Sequence, residues 1–252
     1  GDHSLNKRSM EKLINLLSKF GATFLPKNKY TFPLKMISSE MPVGIKYKAG
    51  VSAQLKSAVL LAGLNSYGNT IIEEQIISRD HTENLLMKNI QSIKIIKKKK
   101  KIIKVKGKSY LNPLNLNIGG DPSSAAFFTA LTLLNKNSTL KIKNVGLNPT
   151  RTGFYEILKK QKVKINFKNI IKDNNEIRGD ILIKSSKLKP MNVPASLYPR
   201  TTDEYLILFV LASLTNGVST FRGISELKGK ESSRAHEMKK ILNQIGVKCK
   251  LS

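Results

Sequence analysis

An internal repeat is the feature of this sequence that most constrains its fold. Three times, a short polar cluster precedes a long apolar run: Ser52-Ala53-Gln54, Asp121-Pro122-Ser123-Ser124 and Thr201-Thr202-Asp203-Glu204. Ser, Thr and Asp before an apolar run are N-cap signals, so each cluster predicts the start of a helix. The third run is apolar on nearly all sides, and its helix is therefore expected to be buried.

Each predicted helix is followed by a polar turn, a short strand and a loop with a basic residue. The strands are predicted at 70–73, 139–143 and 219–222. The loop cations follow the helix starts by 27 or 28 residues: Arg79, Arg151 and Lys230. Helix N-termini attract anions through free N–H groups and the helix dipole. The matched spacing predicts a shared site for a polyanionic small molecule; the alternative is that the polar residues only cap helices.

A second, amphipathic helix is predicted after each loop. The clearest one places Met238, Ile241, Leu242 and Ile245 on one buried face, with Gly246 as its stop. The segment 8–20, ended by Gly21, has the same pattern and is interpreted as the second helix of a copy whose first half is absent. Hairpin-like strands complete each unit, which gives an α/β fold of repeated units.

The charge of the chain has two interpretations. The formal net charge is +27, which is typical of proteins that bind nucleic acid. However, only seven of the 44 basic residues are arginines, and the lysines are spread along the chain. The block at 97–101 lies between isoleucine pairs and is interpreted as the solvated turn of a hairpin. A basic nucleic-acid-binding module remains an alternative to an enzyme.

Cysteine content and hydropathy predict a cytoplasmic protein. Cys249 is the single cysteine of 252 residues, which excludes an internal disulfide framework and fits a reducing compartment. The longest apolar stretch, at 205–214, is about half of the ~20 residues that a membrane helix needs. No signal-peptide pattern is present at the start.

Seven segments resemble the 5-enolpyruvylshikimate-3-phosphate synthase family, in order and at matching spacing. They lie at 1–10, 52–64, 78–83, 120–127, 148–153, 203–205 and 226–234. The residues of these segments are most similar to the bacterial branch of the family that is known for glyphosate-insensitive members. The resemblance implies an inside-out α/β barrel of βαβαββ units in two domains, here 1–117 and 118–252. Motifs that the family has on either side are absent, so we expect an interior fragment.

The resemblance also implies an activity and a set of site residues. The family transfers the enolpyruvyl group of phosphoenolpyruvate to the 5-hydroxyl of shikimate 3-phosphate and releases phosphate, with no cofactor or metal. The expected contacts to shikimate 3-phosphate are Ser52, Ala53, Gln54, Arg79, Asp203 and Lys230. The expected contacts to phosphoenolpyruvate are Arg8, Gln54 and Arg234. The expected acid/base residues are Asp203 and Glu231.

The sequence departs from the family pattern inside its most functional loop. Ser233 stands where the family has Asp, and Gly229 stands where it has Val, which puts the positioning of Arg234 in doubt. We expect this chain alone to be inactive, and the full-length protein to be a monomer that binds neither nucleic acid nor membrane. The alternative enzyme is the cell-wall enolpyruvyl transferase that uses UDP-N-acetylglucosamine, and the Ser-Ala-Gln and Lys-Glu-Ser motifs argue against it.

Overall fold

The computed structural model describes residues 2–88, 91–97, 100–229 and 233–251. Its contacts divide the chain into unit 1, Gly1–Asn115, and unit 2, Leu116–Ser252. In the described residues, no helix is both long enough and apolar enough to cross a membrane.

Unit 1 contains one complete βαβαββ motif. It is preceded by helices α1 (His3–Lys7) and α2 (Glu11–Ser18) and by a hairpin of β1 (Thr23–Leu25) and β2 (Lys35–Ile37). The motif comprises β3 (Lys46–Ala49), α3 (Ala53–Asn65), β4 (Asn69–Glu74), α4 (His81–Leu86), β5 (Ile93–Lys97) and β6 (Lys101–Lys106). The strand order is β3-β4-β6-β5; β3 and β4 are parallel, and β6 is antiparallel to both of its neighbours.

The core of unit 1 forms between helix α3 and one face of this sheet. Helical spacing buries Val59, Leu60 and Leu64, while strand alternation buries Ile72 and Ile103 on the facing sheet surface. Burial of this apolar surface is the main favourable contribution to folding.

Unit 2 repeats the same topology. Gly120 forms a parallel bridge to Val145, and the elements that follow are α5 (Pro122–Leu134), β7 (Thr139–Gly146), α6 (Gly153–Lys160), β8 (Ile165–Asp173) and β9 (Glu176–Lys184). The sheet order is β7-β9-β8, antiparallel throughout. A further copy follows with β10 (Asn192–Val193), α7 (Tyr198–Thr201), α8 (Tyr205–Ser213), β11 (Thr220–Phe221) and α9 (Arg234–Gln244). Strands β10 and β11 are again parallel.

The predicted repeat is therefore confirmed, and its two glycine stops are confirmed as well. Gly21 and Gly246 follow α2 and α9 with φ of 96° and 84°, the left-handed region that glycine adopts without a steric penalty. The short strands predicted after the first helices correspond to β4, β7 and β11, although β7 extends to Gly146.

The third helix start, predicted at 201–204, is confirmed, because Glu204 is the N-cap residue of α8, although without a side-chain hydrogen bond. Two local predictions were wrong. The segment 8–20 is not one helix, because Arg8 is the C-cap residue of α1 and α2 begins only at Glu11. The predicted buried stripe of α9 is only partly covered, because Ile241 and Ile245 are exposed while Leu242 is buried.

Within the described part of the lysine block, Lys97 pairs with Lys101 across the antiparallel strands β5 and β6, as a hairpin requires. Residues 98 and 99 lie outside the described residues. The expectation that the whole block is solvated was wrong for Lys101, which is only 9% exposed. Lys101 has the same strand parity as Ile103 and Val105, so its side chain points to the buried face of the sheet.

We predict that Ile181→Ala lowers the free energy of unfolding of unit 2 by about 2–5 kcal/mol, because it leaves a cavity in the central strand β9. Ile181 is fully buried, whereas Ile170 on the neighbouring strand β8 is 59% exposed. Ile170→Ala is therefore the matched control, with an expected loss below about 0.5 kcal/mol. Denaturant unfolding measures both, and equal losses would contradict the described core.

Candidate active site

The first polar cluster forms the N-terminus of helix α3. The Ser52 hydroxyl oxygen accepts a hydrogen bond from the Leu55 N–H at 3.4 Å, so Ser52 is the N-cap residue. Ala53 and Gln54 form the first turn; the side chain of Gln54 is exposed, and Ser52 and Ala53 are half-buried. A neutral cap leaves the positive end of the helix dipole without an internal carboxylate, which suits a bound anion.

The loop that carries Arg79 begins directly after strand β4. The Glu74 carboxylate, at the end of β4, accepts hydrogen bonds from the Ser78 N–H and the Ser78 hydroxyl, both at 2.8 Å. Ser78 is buried and Arg79 is half-buried. These two hydrogen bonds fix the backbone immediately before the arginine.

Four buried charged side chains connect this loop to helix α3, and we call them the ion quartet: Lys56, Glu74, Glu83 and Lys101. The Lys56 ammonium lies 2.8 Å from Glu74 Oε1 and 2.7 Å from Glu83 Oε1. The Lys101 ammonium lies 3.1 Å from both Glu74 Oε2 and Glu83 Oε1. Lys56 and Glu74 have fully buried side chains, and those of Glu83 and Lys101 are 1% and 9% exposed.

Electrostatics within the ion quartet favours the charged forms of Glu74 and Lys101. Burial acts to raise the pKa of the Glu74 carboxyl, but the hydrogen bonds from Lys56 and Ser78 and the charges of Lys56 and Lys101 lower this pKa below its ordinary value. Burial acts to lower the pKa of Lys101, but Glu83 and Glu74 raise it above its ordinary value. For both groups, the opposite charges of the quartet therefore outweigh the cost of burial.

In unit 2, the helix that corresponds to α3 holds its own carboxylate. Asp121 caps α5 by accepting hydrogen bonds from the N–H groups of Ser123 and Ser124 at 3.1 and 3.2 Å. The Arg151 guanidinium donates to Asp121 Oδ1 and to the Ser123 hydroxyl, both at 2.7 Å. In this copy, the expected cation, Arg151, is thus paired with an internal carboxylate.

The Ser123 hydroxyl also connects two copies of the repeat, because it donates a hydrogen bond to the Glu204 carboxylate. Glu204 is the N-cap residue of α8 and is 1% exposed. The start of α5 and the start of α8 are thereby held together next to Asp203.

Two of the predicted site residues meet in unit 2. The Arg234 guanidinium, in the first turn of α9, donates to Asp203 Oδ1 at 3.4 Å. The side chains of Arg234 and Asp203 are 24% and 34% exposed, so both remain accessible. Ser233, which replaces the family's Asp, hydrogen-bonds instead to Nδ1 of His236 at 2.8 Å.

Tyr198 lies close enough to Asp203 and Arg234 for both charges to affect the pKa of its phenol. Burial raises the pKa of Tyr198 to about 12, Glu226 and Asp203 act in the same direction, and Thr202 and Arg234 oppose them. Its phenol is therefore protonated at neutral pH and cannot act as a base there. No motif in the sequence predicted Tyr198 as a neighbour of Asp203.

The remaining predicted site residues lie either in unit 1 or outside the described residues. Ser52, Ala53, Gln54, Arg79 and Arg8 belong to unit 1, with Arg8 half-buried at the end of α1. Lys230 and Glu231 lie outside the described residues. Within the part of the chain that the structure describes, no group of three or more His, Cys, Asp or Glu side chains is arranged to hold a metal ion.

Comparison with known proteins identifies the family. The model described as EPSP synthase (3-phosphoshikimate 1-carboxyvinyltransferase) matches residues 1–252. The chain belongs to the EPSP synthase family. Proteins named 3-phosphoshikimate 1-carboxyvinyltransferase from Zymomonas mobilis and Thermodesulfovibrio yellowstonii are 39% and 40% identical over 98% and 99% of this chain. The chain spans only 55% and 58% of their lengths.

Solved structures confirm the predicted fold class. The EPSP synthase from Acinetobacter baumannii is similar with a TM-score of 0.81 and 34% identity, covering 100% of this chain and 57% of that chain. The enolpyruvyl transferase NikO from Streptomyces tendae, at 14% identity, matches with a TM-score of 0.62 over 82% of this chain and 49% of its own. The second likeness concerns the fold alone.

We predict that Asp121→Asn destabilises unit 2 and flattens its pH dependence. Burial acts to raise the pKa of Asp121, but the Ser123 N–H, Arg151 and Ser124 lower it below its ordinary value. A lowered pKa means that the stabilisation is present above the ordinary value of about 4 and is lost as pH falls below it. Asn can still cap the helix, so the cost at pH 7 should be about 0.2–1 kcal/mol, because the substitution removes the charge that pairs with Arg151 and the Asp121 side chain is 48% exposed.

Denaturant unfolding of both proteins at pH 7 and pH 3 measures this effect. The stability difference should shrink at pH 3, because the wild-type carboxylate is then increasingly protonated. Glu237→Gln, at an exposed pair with Lys240 on α9, is the control and should change little at either pH. An Asp121→Asn variant with the wild-type pH profile would show that the carboxylate does not stabilise the α5 start.

Proposed function

We propose that this chain forms the middle part of an enzyme that transfers the enolpyruvyl group of phosphoenolpyruvate to the 5-hydroxyl of shikimate 3-phosphate and releases phosphate. The observation that carries this proposal is the Ser52-Ala53-Gln54 helix start, linked through the ion quartet to the Arg79 loop, in a chain that matches the family over its whole length. We further propose a cytoplasmic enzyme that is monomeric when full length and needs no cofactor.

Unit 1 provides the groups for the phosphate-bearing substrate. Ser52 contributes its hydroxyl and the helix start contributes N–H groups, while Gln54 can donate and accept through its exposed amide. Arg79 supplies a planar fork that binds phosphate or carboxylate with two parallel hydrogen bonds. Ala53 contributes through its backbone.

Unit 2 provides groups for the reacting atoms. Asp203 accepts the proton of the 5-hydroxyl while the new C–O bond forms, and the bond between carbon and the phosphate oxygen of phosphoenolpyruvate breaks afterwards. A carboxylate is a weak base for an alcohol, so this proton transfer is concerted with bond formation. Glu231, as the second acid/base, donates a proton to the methylene carbon of phosphoenolpyruvate as the C–O bond forms and removes a proton from it as phosphate leaves, which restores the double bond. Lys230 binds shikimate 3-phosphate.

Two arginines bind the anionic cosubstrate in this proposal. Arg8 and Arg234 hold the carboxylate and phosphate of phosphoenolpyruvate, and the Gln54 amide contacts it from helix α3. The contact of Arg234 with Asp203 supports this assignment, because it brings the arginine to the carboxylate that takes the proton.

We predict that shikimate 3-phosphate stabilises the chain against thermal unfolding, whereas UDP-N-acetylglucosamine does not. A ligand at 100 times its Kd contributes about 2.7 kcal/mol to the native state. Arg79→Ala should weaken this stabilisation at least about tenfold in Kd, because it removes a charged fork. Arg222→Ala, at an exposed arginine with no role in the proposal, is the matched control.

Other outcomes of the same titration would redirect the proposal. Stabilisation by the UDP-sugar alone would favour the cell-wall transferase. Absence of any response to shikimate 3-phosphate, together with tight binding to RNA or DNA at ~0.15 M salt, would favour the basic nucleic-acid-binding module.

We predict that the 252-residue chain alone releases no phosphate from phosphoenolpyruvate and shikimate 3-phosphate. The reason is that the chain spans only 55% and 58% of the lengths of the two relatives named above. A phosphate-release assay at saturating substrates measures this. Turnover that is lost in Asp203→Asn would contradict the prediction and would show that the residues of this chain suffice for catalysis.

A further inference from the structure

A continuous chain of contacts joins two of the proposed substrate ligands through the protein interior. Gln54 and Lys56 share the first turns of α3, and the Lys56 ammonium contacts Glu74 Oε1 at 2.8 Å. The same oxygen accepts the Ser78 N–H at 2.8 Å, and Arg79 is the next residue. A side chain at the helix start and a side chain on the loop are thus related by one ion pair and one hydrogen bond to the same carboxylate.

Stability alone does not explain why this site is ionic. Removing charges from water is costly, and apolar side chains of similar volume often stabilise a protein as well as a buried ion pair does. Charged hydrogen bonds differ from apolar contacts in having defined lengths and directions. Glu74 Oε1 uses this property, since it accepts hydrogen bonds from Lys56 and from the Ser78 N–H and hydroxyl, while Oε2 lies 3.1 Å from the Lys101 ammonium.

We propose that Lys56 and Glu74 are positioning residues, which hold Arg79 and the start of helix α3 in the geometry that binds shikimate 3-phosphate. This inference rests on the proposed function. Glu83 and Lys101 balance the charges of Lys56 and Glu74. The hydrogen bonds of Ser78, however, go to Glu74. A second contact, between the hydroxyls of Ser57 and Thr82 at 2.7 Å, supports the same alignment of α3 with the segment after Arg79.

The quartet allows a matched pair of charge-neutral variants. Lys56→Met/Glu74→Met removes one cation and one anion and cuts the connection to Ser78, but it leaves Lys101 and Glu83 in contact at 3.1 Å. Lys101→Met/Glu83→Met also removes one cation and one anion, but it leaves Lys56, Glu74 and Ser78 connected. Both replacements exchange buried charges for apolar side chains of similar length.

An exposed pair in the same sheet provides the surface control. Lys100 and Glu73 lie 3.9 Å apart with side chains that are 50% and 39% exposed. Lys100→Met/Glu73→Met makes the same chemical change outside the quartet. It should leave both stability and ligand binding unchanged, because exposed pairs contribute little.

The measurement is the Kd for shikimate 3-phosphate by calorimetric titration, at a temperature where unfolding curves show every variant to be folded. Amide hydrogen exchange at Ser78 and Arg79 is measured without ligand. The variant Lys56→Met/Glu74→Met should raise Kd at least about tenfold and accelerate exchange at Ser78, because a small displacement of a binding arginine is costly. The variant Lys101→Met/Glu83→Met should stay within about threefold of wild type.

Three outcomes would overturn the proposal: equal Kd values for the two quartet variants, equal exchange at Ser78, or a larger effect of Lys101→Met/Glu83→Met. If wild type does not bind shikimate 3-phosphate, the proposed function fails, and the exchange comparison still decides whether Lys56 and Glu74 hold the Arg79 loop. If Lys56→Met/Glu74→Met does not fold, the single variant Ser78→Ala replaces it. Ser78→Ala removes one of the two hydrogen bonds to Glu74, and an unchanged Kd in that variant would then overturn the proposal.

Discussion

The contact of two ammonium groups with two carboxylates inside unit 1 is the constraint on which its site depends. The ion quartet joins helix α3, strand β4, helix α4 and strand β6, four of the six elements of the βαβαββ motif. A charge that loses its partner in such a site leaves another buried charge uncompensated. The helix start at Ser52 and the loop at Arg79 therefore cannot move independently without breaking contacts in the core.

The copies of the repeat share their topology but differ in what lies at the helix start. In unit 1 the cap is the neutral Ser52, and the nearby loop carries Arg79. In unit 2 the equivalent helix is capped by Asp121, whose charge is paired with Arg151, and the next copy pairs Asp203 with Arg234. One fold thus supports three electrostatic arrangements. Among the described starts of α3, α5 and α8, only that of α3 is capped by a residue without a carboxylate.

Periodicity in the sequence contained more information than the motifs alone. Lys56 has the spacing of Val59, Leu60 and Gly63 on the buried face of α3, and Glu74 and Lys101 share strand parity with Ile72 and Ile103. Two cations and two anions at otherwise apolar positions predict a buried network. The repeat and the first two caps were predictable for the same reason, because local spacing determines them. The contact of Asp203 with Arg234 was not, since residues 31 positions apart meet only through tertiary packing.

The pairing of Asp203 with Arg234 has a consequence for the proposed reaction. A guanidinium at 3.4 Å engages the same carboxylate that must accept the proton of the 5-hydroxyl. In the proposal, phosphoenolpyruvate offers Arg234 a carboxylate and a phosphate, which are better partners because they match its planar fork. Binding of the cosubstrate would then exchange the contact of Arg234 with Asp203 for contacts with the cosubstrate. In the proposal, cosubstrate binding thereby changes the charge beside the carboxylate that accepts the proton.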